Sequence, residues 1–600
     1  VMKVKAFFLS GAVLLNTALP ISAALPNTPA ITACASQFTS IHHIQGTADS
    51  SPLVGQQLTT RGVVTAVVYP NSKAAGIVLR AAERGDTAAS GSLFIADKAA
   101  AATYRPGQPL QITGTVAEVN QLTSLVQITD IRLCGEATKV QPVTLQLPLT
   151  SQQSWELLEG ELLQFNQPLT VNDTYSLGRY GEITLADKRL MTATEVMLPG
   201  KDAIALTTAQ QERHMLVLDD GLYQQNPDPL LFPAGGLTAD NTLRIGDSLS
   251  GVEGVLLQDE RGYRLLPTKM PQFKVQNPRP AKPEPKPAKA LRIASFNVLN
   301  YFNGATEQQA FPTRRGASTA AELERQQAKL ITALAALDAD IIGLLEVENN
   351  GYNQKGALAS LTAALNKVAS KPYRFIITKQ QPGSDAIKVA LLYRPSAVSV
   401  EGKAAMLLNK PFDWGSRPPL AQSFRHLTSN ELVTVSINHF KSKGSCPKDA
   451  TSKDADQHDG QACWNALRTT SARALSDWLA TQPTGVKTNH QIILGDLNAY
   501  RMEDPVRMLE QQGWAYLKAA TGTQYSYVYR GRTGSLDHAL ASPALAKKLA
   551  VMQHWAINAD EPVLLDYNVE FKSDNLQQLL YAPTPYRSSD HDPLIATFQF

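Results

Sequence analysis

Alternating proline and charge over residues 277–290, NPRPAKPEPKPAKA, cannot build a core, because each proline removes a backbone donor and no apolar face recurs. The stretch predicts an extended, polyproline-like spacer over 276–290, with separate folding units on either side. The two sides differ in pattern. Before the spacer, runs such as LTTRGVVTAVV and LQITGTVAEV read as short strands between turns; after it, strand-like and helix-like segments alternate. Six hundred residues at 43% hydrophobic composition suffice for several cores. A net charge of +3 is small at this length, so it neither requires nor excludes a polyanionic partner. Any such surface must be a local patch.

The N-terminus carries two lysines in residues 1–5, an apolar run over 6–19, and small residues at Ser22, Ala23 and Ala24. That layout predicts a secretory signal peptide over 1–24, since the run falls short of the roughly 20 apolar residues that span a bilayer. The even number of cysteines fits export. Cys34 and Cys134 bracket one candidate domain, and Cys446 and Cys463 bracket one loop, so the expected disulfides are 34–134 and 446–463. Zinc is a poor alternative, because neither pair sits close together with histidines at ligand spacing.

Residues 25–138 contain five strand-like runs, among them AGIVLRA, GSLFIAD and LTSLVQITDIRLC. The phrase GQPLQITGTVAEV (107–119) is similar to OB-like domains that precede bacterial secreted nucleases. The resemblance implies a small closed barrel with a nucleic-acid-binding role; the competing reading is a purely structural domain. Few stacking aromatics support binding: Tyr69, Phe94 and Tyr104. Residues 139–275 form a second β-rich module, in which LRIGDSLSGVEGVL (243–256) echoes the earlier phrase and predicts another barrel-like unit. Asp219 and Asp220, before Gly221, read as a turn.

From 291 to 600 the order is ALRIASFNVLNYF (strand), an amphipathic helix over 322–340, IIGLLEVE (strand), a helix, two strands, a long loop, LVTVSINHF, a helix and QIILGDLNA. The strands are too many for one simple parallel sheet, so a two-layered sheet core flanked by helices is expected. Five short segments stand out: SFN (295–297), LLEVEN (344–349), NHFKS (438–442), ILGDLNA (493–499) and SSDHDP (588–593). In four of them an acid, amide or histidine follows directly on an apolar strand, so these polar groups should emerge together at strand ends.

Carboxylates, amides and two histidines suit a divalent cation and attack on a phosphate ester, which needs a cation, an aimed water and a proton source. Glu346 is the leading metal ligand, with Asn297 offering an amide oxygen. Asp496 and Asn498, at i and i+2, share a face if the strand continues. There Asp496 can orient or deprotonate water while Asn498 holds a phosphate oxygen, and Gly495 leaves room for close approach. His439 and His591 form an acid/base pair. Asp537 can orient His591, Asp385 can orient His439, and Asp590 can join the metal shell.

The ordered set SFN, LLEVEN, NHFKS, GDLNA, SLDH and SSDHDP resembles the endonuclease/exonuclease/phosphatase superfamily, the fold of pancreatic deoxyribonuclease, over roughly residues 291–600. The resemblance implies a two-layered sandwich with metal at Glu346, a first-strand asparagine at Asn297, and catalytic groups at Asp496, Asn498 and the Asp590–His591 pair. His439 resembles the deoxyribonuclease branch, and SRPPL puts Arg417 where that branch clamps a phosphate oxygen. One departure is Ile387, where the branch carries a glutamate; Asp385 is the substitute orienter of His439.

The arrangement as a whole is similar to secreted bacterial extracellular nucleases. It implies a secreted, monomeric phosphodiesterase without stable membrane association, using Mg2+ or Mn2+ on DNA, with RNA as a second candidate substrate, and leaving 5′-phosphate and 3′-hydroxyl ends. A phosphomonoesterase or sphingomyelinase-like phospholipase of the same superfamily, or an inactive exported nucleic-acid-binding protein, are the alternatives. The acidic loop 446–463, with Asp449, Asp454, Asp456 and Asp459, could take a structural Ca2+, but its spacing is not that of an EF-hand; a solvated, disulfide-pinned loop is the simpler expectation.

Overall fold

The computed structural model describes residues 30–81, 89–305, 310–519 and 524–600. The expected signal peptide lies outside the described residues. Strands β1 (Gln57–Val68), β2 (Gly76–Arg80), β3 (Ser92–Ile95), β4 (Pro109–Val119) and β5 (Leu122–Leu133) close into a barrel in the order β1-β2-β3-β5-β4. Alternate residues point inward, and Val64, Ile77, Leu79, Leu93, Ile95, Ile112 and Leu125 fill the interior. Cys34 and Cys134 are bonded at its edge.

The second module is not a barrel. Its strands, from Val143 to Lys274, pair into one nine-stranded sheet. The repeated sequence phrase predicts strands but not how they close. In the echo, residues 243–247 form no strand, and pairing begins only at Ser248–Ser250. The module also holds a helix that the strand-like pattern hides, α1 (Lys201–Ala209). Asp219 and Asp220 accept the backbone N–H groups of Gly221 and Leu222, as expected of a turn. The module meets the barrel through an apolar seam that includes Val68, Phe94, Leu162, Val255 and Leu266.

The C-terminal domain stacks two six-stranded sheets. One, in spatial order, is β8 (Arg374–Phe375), β9 (Ile387–Tyr393), β7 (Ile341–Glu348), β6 (Leu291–Tyr301), β17 (Leu594–Phe598) and β16 (Leu549–His554). The other is β10 (Val398–Met406), β11 (Arg417–His426), β12 (Leu432–His439), β13 (Gln491–Asp496), β15 (Asp537–Ala541) and β14 (Ala515–Tyr516). Leu345, Val389, Leu420, Val435, Ile492 and Leu494 pack between the sheets. Helices α2 (Ala320–Ala336) and α3 (Ala357–Asn366) cover the first sheet, and α4 (Asn465–Ala480) and α5 (Asp504–Gln511) the second. Strands covered on both faces read as unbroken apolar runs, which is why IIGLL and QIIL carry no alternation.

The Pro-rich stretch forms neither helix nor strand, but it is not a free spacer. Arg279 reaches the Glu561 carboxylate with Nε and Nη2 at 2.9 and 2.7 Å, and the carbonyl of Pro280 accepts from the Trp555 indole at 3.3 Å. Lys286 pairs with Asp340 at 2.8 Å. Proline alternation keeps the segment out of helix and sheet, but the interleaved cations find buried acids and strap it down.

Candidate active site

The second sheet delivers its polar residues in register. Arg417 lies opposite His439, His439 opposite Asp496, and Asp496 opposite Asp537, one from each of four neighbouring strands. Each ends or begins an apolar run, so the sheet core fixes the row and the sheet edge exposes it. Gly495 is required here: its φ is +128°, and a Cβ would sit 2.1 Å from the Asn438 carbonyl oxygen. Past the row, Asn498 (φ +49°) turns back, its N–H donating to Asp496 Oδ1 at 2.8 Å and its amide to the Phe440 carbonyl at 3.2 Å.

The first sheet delivers its residues through broken backbone. Glu346 sits at φ +64°, where the pairing of β7 with β9 slips, and Leu299 and Asn300 are left-handed where β6 and β7 slip. For residues other than glycine such angles cost of order 1–3 kcal/mol, and they cluster at functional sites. The reward is placement. Asn297 donates its amide to Glu346 Oε1 at 3.1 Å, and the Asn300 N–H donates to Oε2 at 3.0 Å.

The faces converge on Asp496. His439 Nε2 lies 3.4 Å from Asp496 Oδ2 and 3.9 Å from Glu346 Oε1. His591 Nε2 lies 3.9 Å from the same Asp496 oxygen, while its Nδ1 is bonded to Asp537 at 2.7 Å. Tyr527 packs its ring against His591 at 4.7 Å. Burial and then Asp590 push the Glu346 carboxyl up. Burial pushes Asp496 up to about 7 against the pull of His591. Burial and Arg417 hold His439 well below its usual range. Burial works against a charged His591, but Asp537, Asp590 and Asp496 outweigh it and hold its pKa well above. Two imidazoles of opposite tendency thus flank one carboxylate.

Asp385 does not orient His439. It faces Arg315 at 3.5 Å and Arg417 at 4.0 Å, and His439 Nδ1 is buried without a hydrogen bond. The chain leaves Asp385 from the start of β9 on the Arg417 side of the row, so it supports the guanidinium instead. Arg417 donates to the carbonyls of Phe440 (2.9 Å) and Gly415 (3.2 Å) and keeps a buried, unpartnered Nε. Cys446 and Cys463 are bonded. The acids of their loop do not converge: Asp449, Asp456 and Asp459 accept from residues two further on, and Asp454 accepts from the Leu467 N–H. The loop offers local turns rather than a calcium cage.

Two supports escape sequence reasoning. Asn558 donates its amide to the His591 carbonyl at 2.7 Å and accepts the Ser588 N–H at 2.8 Å, holding the SSDHDP loop. Glu195, from the second module, accepts the N–H groups of Arg501 (3.3 Å) and Ser535 (3.0 Å). It therefore ties the segment after Asp496 to the one before Asp537. Its neighbour Thr194 donates to Glu503, which in turn binds Lys443. Nearby, Arg189 and Arg244 of the second module pair with the buried Asp560, and Arg244 also with Glu561, beside Asn558. Only the spatial partner of each residue reveals these roles.

The donor set fits a hard cation. Asp590 opposes the ionisation of Glu346, and Asn297 adds an amide oxygen. Among the described residues no three His, Cys, Asp or Glu side chains converge as a cage, and magnesium takes one or two carboxylates with water.

Residues 136–276 match a domain of unknown function (DUF8508). No curated protein matches the chain. Solved structures similar to it include the human Nocturnin catalytic domain (14% identity, TM-score 0.32, covering 52% of this chain and 96% of that one). A humanized D. rerio TDP2 is similar at 15% identity and TM-score 0.32, covering 52% and 100%. A Bacteroides thetaiotaomicron mannosyl-6-phosphatase is similar at 15% and 0.30, again covering 52% and 100%. The model of the Endonuclease/Exonuclease/phosphatase family matches residues 294–591, the span that holds every residue of the row and the left-handed residues of the first sheet, and the C-terminal domain belongs to that family.

Proposed function

We propose that the protein is an exported, divalent-metal-dependent phosphodiesterase that hydrolyses DNA, with RNA as a second substrate, at low sequence specificity. Family members are usually hydrolases of phosphoester bonds, and the observation that carries the finer reading is the His439–Asp496–His591 triplet. Two histidines on either side of one carboxylate supply both proton transfers of a phosphodiester cleavage, one taking the proton of the attacking water and the other returning one to the leaving oxygen. Asp537 fixes the tautomer and the ring of His591. Asn498 and Arg417 face the same end of the sheet and bind phosphate oxygens. A Mg2+ or Mn2+ held by Glu346, Asn297 and Asp590 would polarise the scissile phosphate. The two disulfides support export. The strand order of the five-stranded barrel supports an OB-type, nucleic-acid-binding role.

The test is digestion of closed circular DNA by the mature protein with Mg2+, with Mn2+ and with chelator, beside Asp496→Ala and His591→Ala. Metal-dependent nicking that both variants lack is expected. Turnover of a phosphomonoester or sphingomyelin, with every nucleic acid left intact, would overturn the nuclease reading.

A further inference from the structure

Beside the phosphate row stands an aromatic feature that the hydrolytic mechanism does not use. Trp414, at 59% exposure, is an open indole three residues before Arg417. It packs against Trp464 with ring centroids 5.1 Å apart and planes at 55°. Lys441 Nζ lies 5.1 Å from the Trp464 centroid. Lys441 itself follows His439 by two residues, and its N–H donates to Ser416 at 3.0 Å.

The pair is held rigidly for a surface feature. The Trp464 indole N–H is shared between the carbonyls of Gly444 (3.1 Å) and Ser445 (3.0 Å). Trp464 is left-handed, at φ +67°, and follows Cys463, whose disulfide to Cys446 closes the loop beneath it. Arg468, fully buried, ties Cys463 and Lys441 together through their carbonyls at 2.8 and 3.3 Å. On the other side, Arg417 donates to Gly415, the residue after Trp414. Three residues span at most about 10 Å, so the backbone of Trp414 lies within about 10 Å of that of Arg417.

We propose that Trp414, supported by Trp464 and Lys441, is a stacking platform for an unpaired nucleobase flanking the scissile phosphate, which makes single-stranded nucleic acid the preferred substrate class. The proposal rests on reading the site as a nucleic-acid phosphodiesterase. An indole more than half exposed and an arginine three residues on match the base and the phosphate of a nucleotide, and Lys441 adds a cation beside the aromatic pair. Every base has a π-face, so the platform adds affinity without sequence specificity.

The test uses the full-length Asp496→Ala protein in chelator and two fluorescent strands of equal length, an oligothymidylate and an abasic strand with the same phosphates. Binding to the oligothymidylate is expected to be about tenfold tighter, in line with base–aromatic stacking. Trp414→Ala added to that background should erase the difference, and Trp414→Phe should keep most of it. Equal affinity of the Asp496→Ala protein for both strands, or a base preference untouched by Trp414→Ala, overturns the platform even if the wild type digests DNA. Failure of the wild type to cleave any nucleic acid removes the reading beneath the proposal as well.

Discussion

The two sheets of the C-terminal domain bring side chains to the same site by opposite means. The second sheet uses nearly regular strands: Arg417, His439, Asp496 and Asp537 are successive neighbours across four strands, and the pairing slips once, between Arg417 and Leu420. The first uses irregular ones: Glu346 is left-handed at a slip of β7, and it is capped by Asn297 and by the N–H of left-handed Asn300. A regular row sets spacing but lets side chains point only up or down. A kink aims a carboxylate sideways, as the proposed cation held with Asp590 would require. Of the proton-handling groups, His439 and Asp496 therefore sit on the second sheet, whereas His591 and the metal-type donors Glu346, Asn297 and Asp590 sit on or beside the first.

That division of labour can be broken most directly with two isosteric neutralisations. Asp496→Asn should lower kcat by about 10³-fold, because the residue between the two histidines loses its charge. Its half-saturation by Mg2+ should stay near the wild-type value. Glu346→Gln should lower activity too, but with Mg2+ half-saturation raised at least about tenfold. Titrating each variant with Mg2+ distinguishes the two. A Mg2+ shift in Asp496→Asn without one in Glu346→Gln would mean that the sheets have been assigned the wrong way round.

His439 and Asp496 of the row are legible in the sequence because an apolar run followed by His or Asp is itself the signature of a buried strand reaching a surface. Arg417 and Asp537 instead begin their strands, and Arg417 is expected only from the family resemblance. The motifs at Glu346, Asp590 and His591 were equally legible as residues, but not as geometry. Nothing in IIGLLEVE announces a left-handed glutamate, since φ is set by the register of β9 across the sheet. Partners distant in sequence were invisible for the same reason. Glu195 lies 306 residues from Arg501 and 340 from Ser535, and Arg279 of the Pro-rich strap lies 282 from Glu561. Sequence spacing does not fix which side of the row the Asp385 loop passes, and the structure puts it beside Arg417.

Glu195 gives the next prediction, on how far the regular row depends on the second module. Burial raises its carboxyl to about 7 from an ordinary 4.5. An acid whose folded pKa is raised binds more protons folded than unfolded, so its ionisation costs stability as pH rises from about 4.5 to 7, and no further above that. Glu195→Gln removes the charge but keeps an acceptor for the two N–H groups. Against wild type, its urea midpoint should therefore gain steadily between pH 4.5 and 7 and level off beyond. The gain should be on the order of 1–3 kcal/mol. Glu195→Ala, which leaves both N–H groups without their acceptor, should instead lose stability, by about 1–3 kcal/mol. A flat difference for Glu195→Gln across this range would show that Arg501 and Ser535 are not held by a desolvated carboxylate.

The smallest effect probes the backbone itself. Asn300 is left-handed on the irregular sheet, where glycine meets no Cβ penalty, so Asn300→Gly should be neutral within about 0.5 kcal/mol. Ala421 lies fully buried in the regular strand β11, opposite Ser436. There Ala421→Gly combines lost packing with extra chain entropy and should cost about 1 kcal/mol or more. Thermal unfolding of the two variants side by side measures the contrast. Equal losses at both positions would mean that the first sheet is no more strained than the second. Its left-handed residues would then be an accident of the loop, and the case that the kink exists to aim Glu346 would fall with it.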